Sequence, residues 1–432
     1  MTRHFWKRFS LLTLLGLLMS WLISCGGAPT ASNSGQAGGG TQDVEFWTMQ
    51  LQPQFTDYFN TLIAQFEAEH PDVKVRWVDV PWSDMQSKIL TAVSAGTAPD
   101  VVNLNPDFAS QLASKNAWLP LDDKLPTTAK QTYLPKIWEA NALNGESFGI
   151  PWYLTTNITL YNQDLLTQAG VSAPPTTYQE LAQAAQQIKE RTGKYAFFTT
   201  FVPEDSADVL QSLVQMGVTL VDDQGKAAFN TPAGKAAFQY WTDLYQKELL
   251  PREVLTQGHR RGIELYQAGE TALLSTGAEF LTTIETNAPA IAEVTGSSAQ
   301  ITGDTGKQNV AVMNLVIPRA TDVPEAALDF ALYVTNDANQ LEFAKAANVL
   351  PSTANALKDS YFTQPAADAA PLTLARTVSA SQMEEAEVLI PAMEDVKTLQ
   401  KVVYDNLQAA MLGQKSVDQA VADAAADWDA RS

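Results

Sequence analysis

The side chains able to do chemistry in this sequence gather in three short stretches, Trp47-Thr48, Asn105-Pro106-Asp107 and Trp152-Tyr153, each closing a β-prone run, with Tyr161 in the run that follows. Aromatic rings beside amides and carboxylates suit a polyhydroxylated molecule, whose C–H faces stack on rings and whose hydroxyls need fixed donors and acceptors. Sets that would do covalent or metal chemistry are scarce. The chain has three histidines, His4, His70 and His259, and one cysteine, Cys25, with no HExxH pairing, G-x-S-x-G elbow, P-loop or G-x-G-x-x-G turn. No metal, cofactor or catalytic residue is expected, although the 48 acidic residues leave a glycosidase-type carboxylate pair open as an alternative of another class. Arg260-Arg261 reads as a solvated face or as a phosphate clamp.

The elements that must position these residues follow from periodicity. Residues 43–48 have strand character, and Phe55, Phe59, Leu62, Ile63 and Phe66 recur at helical spacing until Pro71. Residues 73–80 form a second strand. Ser83 with Gln86 reads as a capping box for a helix ending near Gly96, and residues 99–104 form a third strand. This β-α-β-α-β rhythm belongs to a parallel sheet flanked by helices. It breaks near Gly149. Thr177 with Glu180 caps a helix over 178–191, residues 310–319 are a strand, and 324–335 and 339–347 are helical. Helices over 395–412 and 417–429, the latter capped by Ser416 with Gln419, close the chain, and two α/β lobes joined by more than one crossing are predicted.

The chain ends and the charge restrict location and partners. Arg3, Lys7 and Arg8 precede an apolar run over 11–23 that is shorter than the roughly 20 residues of a membrane span, so residues 1–24 read as an export signal. Residues 25–42, rich in Gly, Ser and Ala, read as a flexible tether. Without the signal, 25 basic residues face 48 acidic ones, a charge near −23 that makes nucleic acid a poor partner.

Eight segments carry a resemblance, in order: "VEFW", "FEAEHPDVKV", "WSDMQSKILTAVSAGTAPDVV", "WLPLDD", "GIPWYLTTNITLYNQDLLTQAGVSAPPTTYQEL", "YQAGETALLSTG", "PEAALDFALYVTN" and "LGQKSVDQAVADAAADW". Together they make the chain similar to the solute-binding proteins of bacterial ATP-binding-cassette sugar importers, the maltose-binding-protein-like group, and the residues before Cys25 resemble a lipobox.

The resemblance implies an α/β periplasmic-binding-protein fold in two lobes, 43–150 with 312–346 and 151–311 with 347–432, closing over a cleft about hinges near 149–153 and 310–317. It implies a non-enzymatic receptor that captures a sugar or sugar-like osmolyte and delivers it to permease subunits. The same fold binding an anionic solute such as a glycerol phosphodiester is the nearer alternative. It further implies an exported monomer, lipid-anchored through Cys25 on the outer face of the cytoplasmic membrane, periplasmic or extracellular. Trp47, Asn105, Asp107, Trp152, Tyr153 and Tyr161 are the ligand-facing candidates carried over. Where the family commonly has a Trp after "YQAGETALLSTG", this chain has Ala278-Glu279-Phe280, which makes Glu279 and Phe280 candidates and leaves the exact solute open.

Overall fold

The computed structural model describes residues 41–431 apart from 304, 367–368, 391 and 394; the export signal, most of the tether and Cys25 lie outside the described residues. The chain begins with β1 (Gln42–Met49), β2 (Val73–Val80) and β3 (Val101–Leu104); a short hairpin, β4 (Ala142–Leu143) and β5 (Glu146–Ser147), then precedes β6 (Ile150–Thr155). After β6 come β7 (Ile158–Asn162), β8 (Leu273–Thr276) and β9 (Thr295–Ser298), and the chain returns through β10 (Gln308–Asn309), β11 (Ala311–Val316), β12 (Leu350–Pro351) and β13 (Ala386–Glu387). Among the described residues no helix is long and apolar enough to cross a membrane.

Two sheets organise the molecule. The first has the order β12-β6-β11-β3-β1-β2, and the second is the antiparallel trio β8-β7-β9. β1 lies parallel to β2 and β3, while β11 runs antiparallel to β3 and β6. β1, β2, β3 and β6 therefore all end at one edge of the first sheet. All four residues of β3 are buried, as expected of a strand covered by helices on both faces. Phe46, Phe59, Phe66 and Phe330 fill one face of this sheet, and Val80, Met85, Ile89 and Leu104 fill the other. The second sheet is covered by a larger core from the helices Tyr178–Thr192, Pro232–Gln246, Val396–Met411 and Val417–Asp429.

Local signals set most helix starts. Thr177 and Glu180 form the reciprocal capping box, and Ser416 Oγ accepts from the Gln419 amide at 3.2 Å. The predicted Ser83–Gln86 box does not form. Pro81, with φ of −53°, precedes a helix that already starts at Trp82, so Ser83 falls inside the first turn and donates to Asp84 Oδ1 at 3.1 Å instead.

The crossings also differ from their predicted places. β6 stays in the first sheet to Thr155, and β12 pairs with it, so divisions at 150/151 and 346/347 would cut a strand and detach its neighbour. The chain passes between sheets at Thr156-Asn157, between β9 and β11, and after β12. Gly-Ile-Pro opens β6 here.

Candidate functional site

The two sheets meet at the crossings, and that edge is where polar side chains converge. Thr276 pairs with Ile158, and Ser298 with Thr159, so β8 and β9 both run toward the point where β7 leaves Asn157. Residues 277–279 and 299–300 thus share one edge with Asn157. On the first sheet the facing edge carries Gln50, Trp82 and Asn105, which follow the ends of β1, β2 and β3. Ligands of open α/β sheets lie beyond such strand ends.

A cavity of about 90 Å³ opens here in the second lobe. Its floor is the sheet row Thr159 and Ser275 with Asn157, and Ser275 is exposed although its strand neighbours are buried. Its walls come from Tyr178, Phe198 and Trp241, and its polar rim from Asp208, Gln211 and His259. Asp208 and His259 each begin a helix, Asp208–Gln215 and His259–Gln267, whose first turns are capped by neighbours. Ser206 Oγ accepts from the Asp208 amide at 3.1 Å, and Asp205 Oδ1 accepts from the His259 amide at 2.9 Å. The Asp208 carboxylate itself has no ion-pair partner among the described residues.

Behind the cavity a buried amide network ties the crossings together. Tyr178 donates to Gln215 Oε1 at 2.5 Å, and Gln215 Nε2 donates to Gln300 Oε1 at 3.3 Å. Gln300 Nε2 in turn donates to Thr156 Oγ1 at 3.1 Å and the Asn309 carbonyl at 3.2 Å. Gln382 accepts from the Gln300 amide at 2.8 Å and donates to the Asn157 carbonyl at 3.2 Å. All three crossings thus share one set of hydrogen bonds.

The predicted site residues divide between these places. Trp152 is a core residue: it is fully buried, stacked on Phe343 with centroids 4.8 Å apart, and flanked by Phe46 and Phe59. Tyr153 packs edge-on against it and lies 5.3 Å from Phe343; burial raises the pKa of its hydroxyl. Both sit mid-strand because β6 continues past them. Trp47 is likewise paired on both sides, with Val78 and Val102, and its indole donates to Glu45 Oε1 at 2.6 Å, so it covers the sheet two residues short of the strand end. Tyr161 lies over Gly296, where a Cβ would approach the ring to 2.3 Å, so the missing side chain makes room for a packing contact.

Four candidates do reach the edge. Asn105 caps the helix Pro106–Ala113 by accepting from the Phe108 amide at 2.9 Å. Asp107, two residues further in the first turn, pairs with Lys397 at 3.3 Å. Glu279 and Phe280 follow β8 at the crossing edge, with the Phe280 ring 6.5 Å from that of cavity-lining His259. The Glu279 carboxyl, part-buried at the crossing edge, is held above the usual carboxylate range by desolvation, and it has no ion-pair partner among the described residues. Arg261 is occupied by Glu253 at 2.8 Å and Glu264 at 3.1 Å and lines a separate open groove with Tyr195, Tyr245 and Leu412, while Arg260 is exposed.

Sequence reasoning missed Trp82, Asp208, Gln215, His259 and Gln300. Trp82 is 46 % exposed, with its amide donating to Gln50 Oε1 at 3.2 Å, and an exposed Trp at a strand-to-helix turn was the available signal. The others have no local signature, since only the sheets bring them together. Among the described residues no group of three His, Cys, Asp or Glu side chains could hold a metal ion.

Comparison with known proteins agrees with this architecture. The family profile "Bacterial extracellular solute-binding protein" matches residues 52–341. A crystal structure from Synechococcus sp. MITs9220, provisionally named an oligosaccharide periplasmic-binding protein and solved in complex with zinc, is 49 % identical, with a TM-score of 0.82 over 89 % of this chain and 98 % of that one. The cyclic alpha-maltosyl-1,6-maltose binding protein of Arthrobacter globiformis shares the fold at 22 % identity, with a TM-score of 0.78 over 90 % of this chain and 99 % of that one. The arabinooligosaccharide-binding protein of Halalkalibacterium halodurans is 25 % identical over 315 residues, 70 % of this chain and 69 % of that protein.

Proposed function

We propose, from the premise that this chain belongs to the bacterial extracellular solute-binding protein family, that it is the receptor of an ATP-binding-cassette importer and captures a carbohydrate between its two lobes. The observation that carries this reading is the cavity at the crossings, where aromatic walls stand beside hydroxyl, amide and carboxylate groups. Rings take the C–H faces of a sugar, and a pocket that pairs each hydroxyl penalises analogues that leave a buried group unpaired by roughly 1–3 kcal/mol. Binding by closure needs no bond to be made or broken. The ligand only has to prefer the closed arrangement, and the crossings at Thr156-Asn157, between β9 and β11, and after β12 are the places we assign to the hinge.

On this reading Gln50, Trp82 and Asn105 face the ligand from the first lobe, and Asp208, Gln211, Ser275, Glu279 and Phe280 from the second. The anionic-solute alternative loses support because Arg261 is already held by two glutamates outside the cavity. Lipid anchoring at Cys25 and a monomeric state belong to the same proposal, and the anchoring rests on the lipobox-like leader. A thermal-shift screen of the protein against mono-, di- and trisaccharides, polyols and glycerol phosphates tests it. Ligand at 100 times its Kd adds about 2.7 kcal/mol of stability. A rise with a sugar that is recovered unchanged supports the receptor; a sugar recovered cleaved points to a hydrolase, and a rise with phosphates alone sinks the carbohydrate reading.

A further inference from the structure

We infer that the cavity selects uncharged or amine-bearing sugar units and rejects sugars carrying a carboxylate or phosphate, an inference that rests on the carbohydrate reading above. Charge at the site is one-sided. Asp208 lines the cavity, and Glu279 stands at the same crossing edge, beside the Phe280 that approaches His259. Neither carboxylate has an ion-pair partner among the described residues. Among the described residues no lysine or arginine lines the cavity, and His259 is the one lining residue able to carry positive charge.

The cations nearest in the chain are engaged or outside. Lys307, whose carbonyl accepts from Gln215, has its ammonium 3.0 Å from Glu387. Arg261 is held by Glu253 and Glu264. Arg260 follows His259 but is exposed and does not line the cavity.

An acidic group brought into this space meets carboxylates of its own sign in surroundings drier than bulk water, where like charges repel strongly. A sugar hydroxyl or a protonated amine instead donates to the same oxygens, and bonds to an ionised acceptor are the strong ones. Asp208, which lines the cavity, therefore acts as an acceptor that also filters by charge, with Glu279, outside the lining at the crossing edge, as a second carboxylate. The aromatic walls do not discriminate on this property, so the filter resides in the two carboxylates.

The test is a set of matched-linkage oligosaccharides, each in neutral, amino and uronic-acid form, titrated against the full protein at about 150 mM salt. The uronic-acid member of the best-bound linkage is expected to bind at least roughly tenfold more weakly than its neutral counterpart. Asp208→Asn and Glu279→Gln, checked for unchanged folding by circular dichroism, are each expected to narrow that ratio. Uronic-acid members binding as well as or better than the neutral ones, or losing binding selectively in Arg260→Ala, would overturn the charge filter and leave the carbohydrate reading standing. If no sugar of any form binds, both fall together.

Discussion

Asp107, in the first turn of the helix Pro106–Ala113, lies 3.3 Å from the ammonium of Lys397, in the first turn of the helix Val396–Met411. The first helix packs on the six-stranded sheet and the second belongs to the core over the three-stranded one, so this ion pair bridges the lobes. Both side chains remain about half exposed, which limits the pair to roughly 0.2–1 kcal/mol, screened by salt. Lys397→Met is expected to broaden the interlobe distance distribution between spin labels at low salt. The difference from the parent should vanish near ~1 M salt; a difference that persists there would mean that the contact acts through packing.

Trp152 and Trp82 should separate stability from binding. Trp152→Ala empties a buried site and is expected to cost about 3–5 kcal/mol of stability, read by denaturant unfolding, whereas Trp82→Ala, at a position 46 % exposed, should stay within about 0.5 kcal/mol. Ligand affinity should move the other way. Loss of a stacking face at Trp82 should weaken binding by about 0.5–1.5 kcal/mol, and an unchanged Kd would remove Trp82 from the site.

Glu279 makes stability depend on pH with a definite sign. Its carboxyl titrates above the ordinary 4.5 because burial disfavours the charged form, so the folded state holds the proton more tightly than the unfolded state. This group's contribution therefore makes the protein more stable as pH falls through the raised pKa, and less stable above it. Glu279→Gln is expected to raise the melting temperature at pH 7 and to lose that advantage by about pH 4. A melting-temperature gain that does not change with pH would show that the carboxylate's charge is not the cause.

Gln300 joins all three crossings, and its removal should show there. Gln300→Ala leaves Gln215, Thr156 and Asn309 short of partners in a buried setting, which costs roughly 1–3 kcal/mol. Hydrogen exchange should quicken at residues 156–157 and 308–310 before it does so elsewhere; uniform quickening would make the residue a general packing element.

Much of this architecture is legible in the chain. The Thr177–Glu180 box and the Ser416 cap bind groups within three residues, so they form wherever those residues stand, and alternation of Val44, Phe46 and Thr48 marks the inner face of β1 before any partner is known. The ordered segments likewise identify the family. What the chain does not contain is how far β6 runs, because β11 holds it to Thr155 on one side and β12 to Leu154 on the other, through hydrogen bonds from residues about 160 to 200 positions away. That pairing turns Trp152 into core. Asp208, His259, Ser275 and Gln300 come together for the same reason: local hydrogen bonds close within a turn and can be read from spacing, whereas a cavity is the space left when distant faces pack, and only the assembled sheets decide which side chains border it.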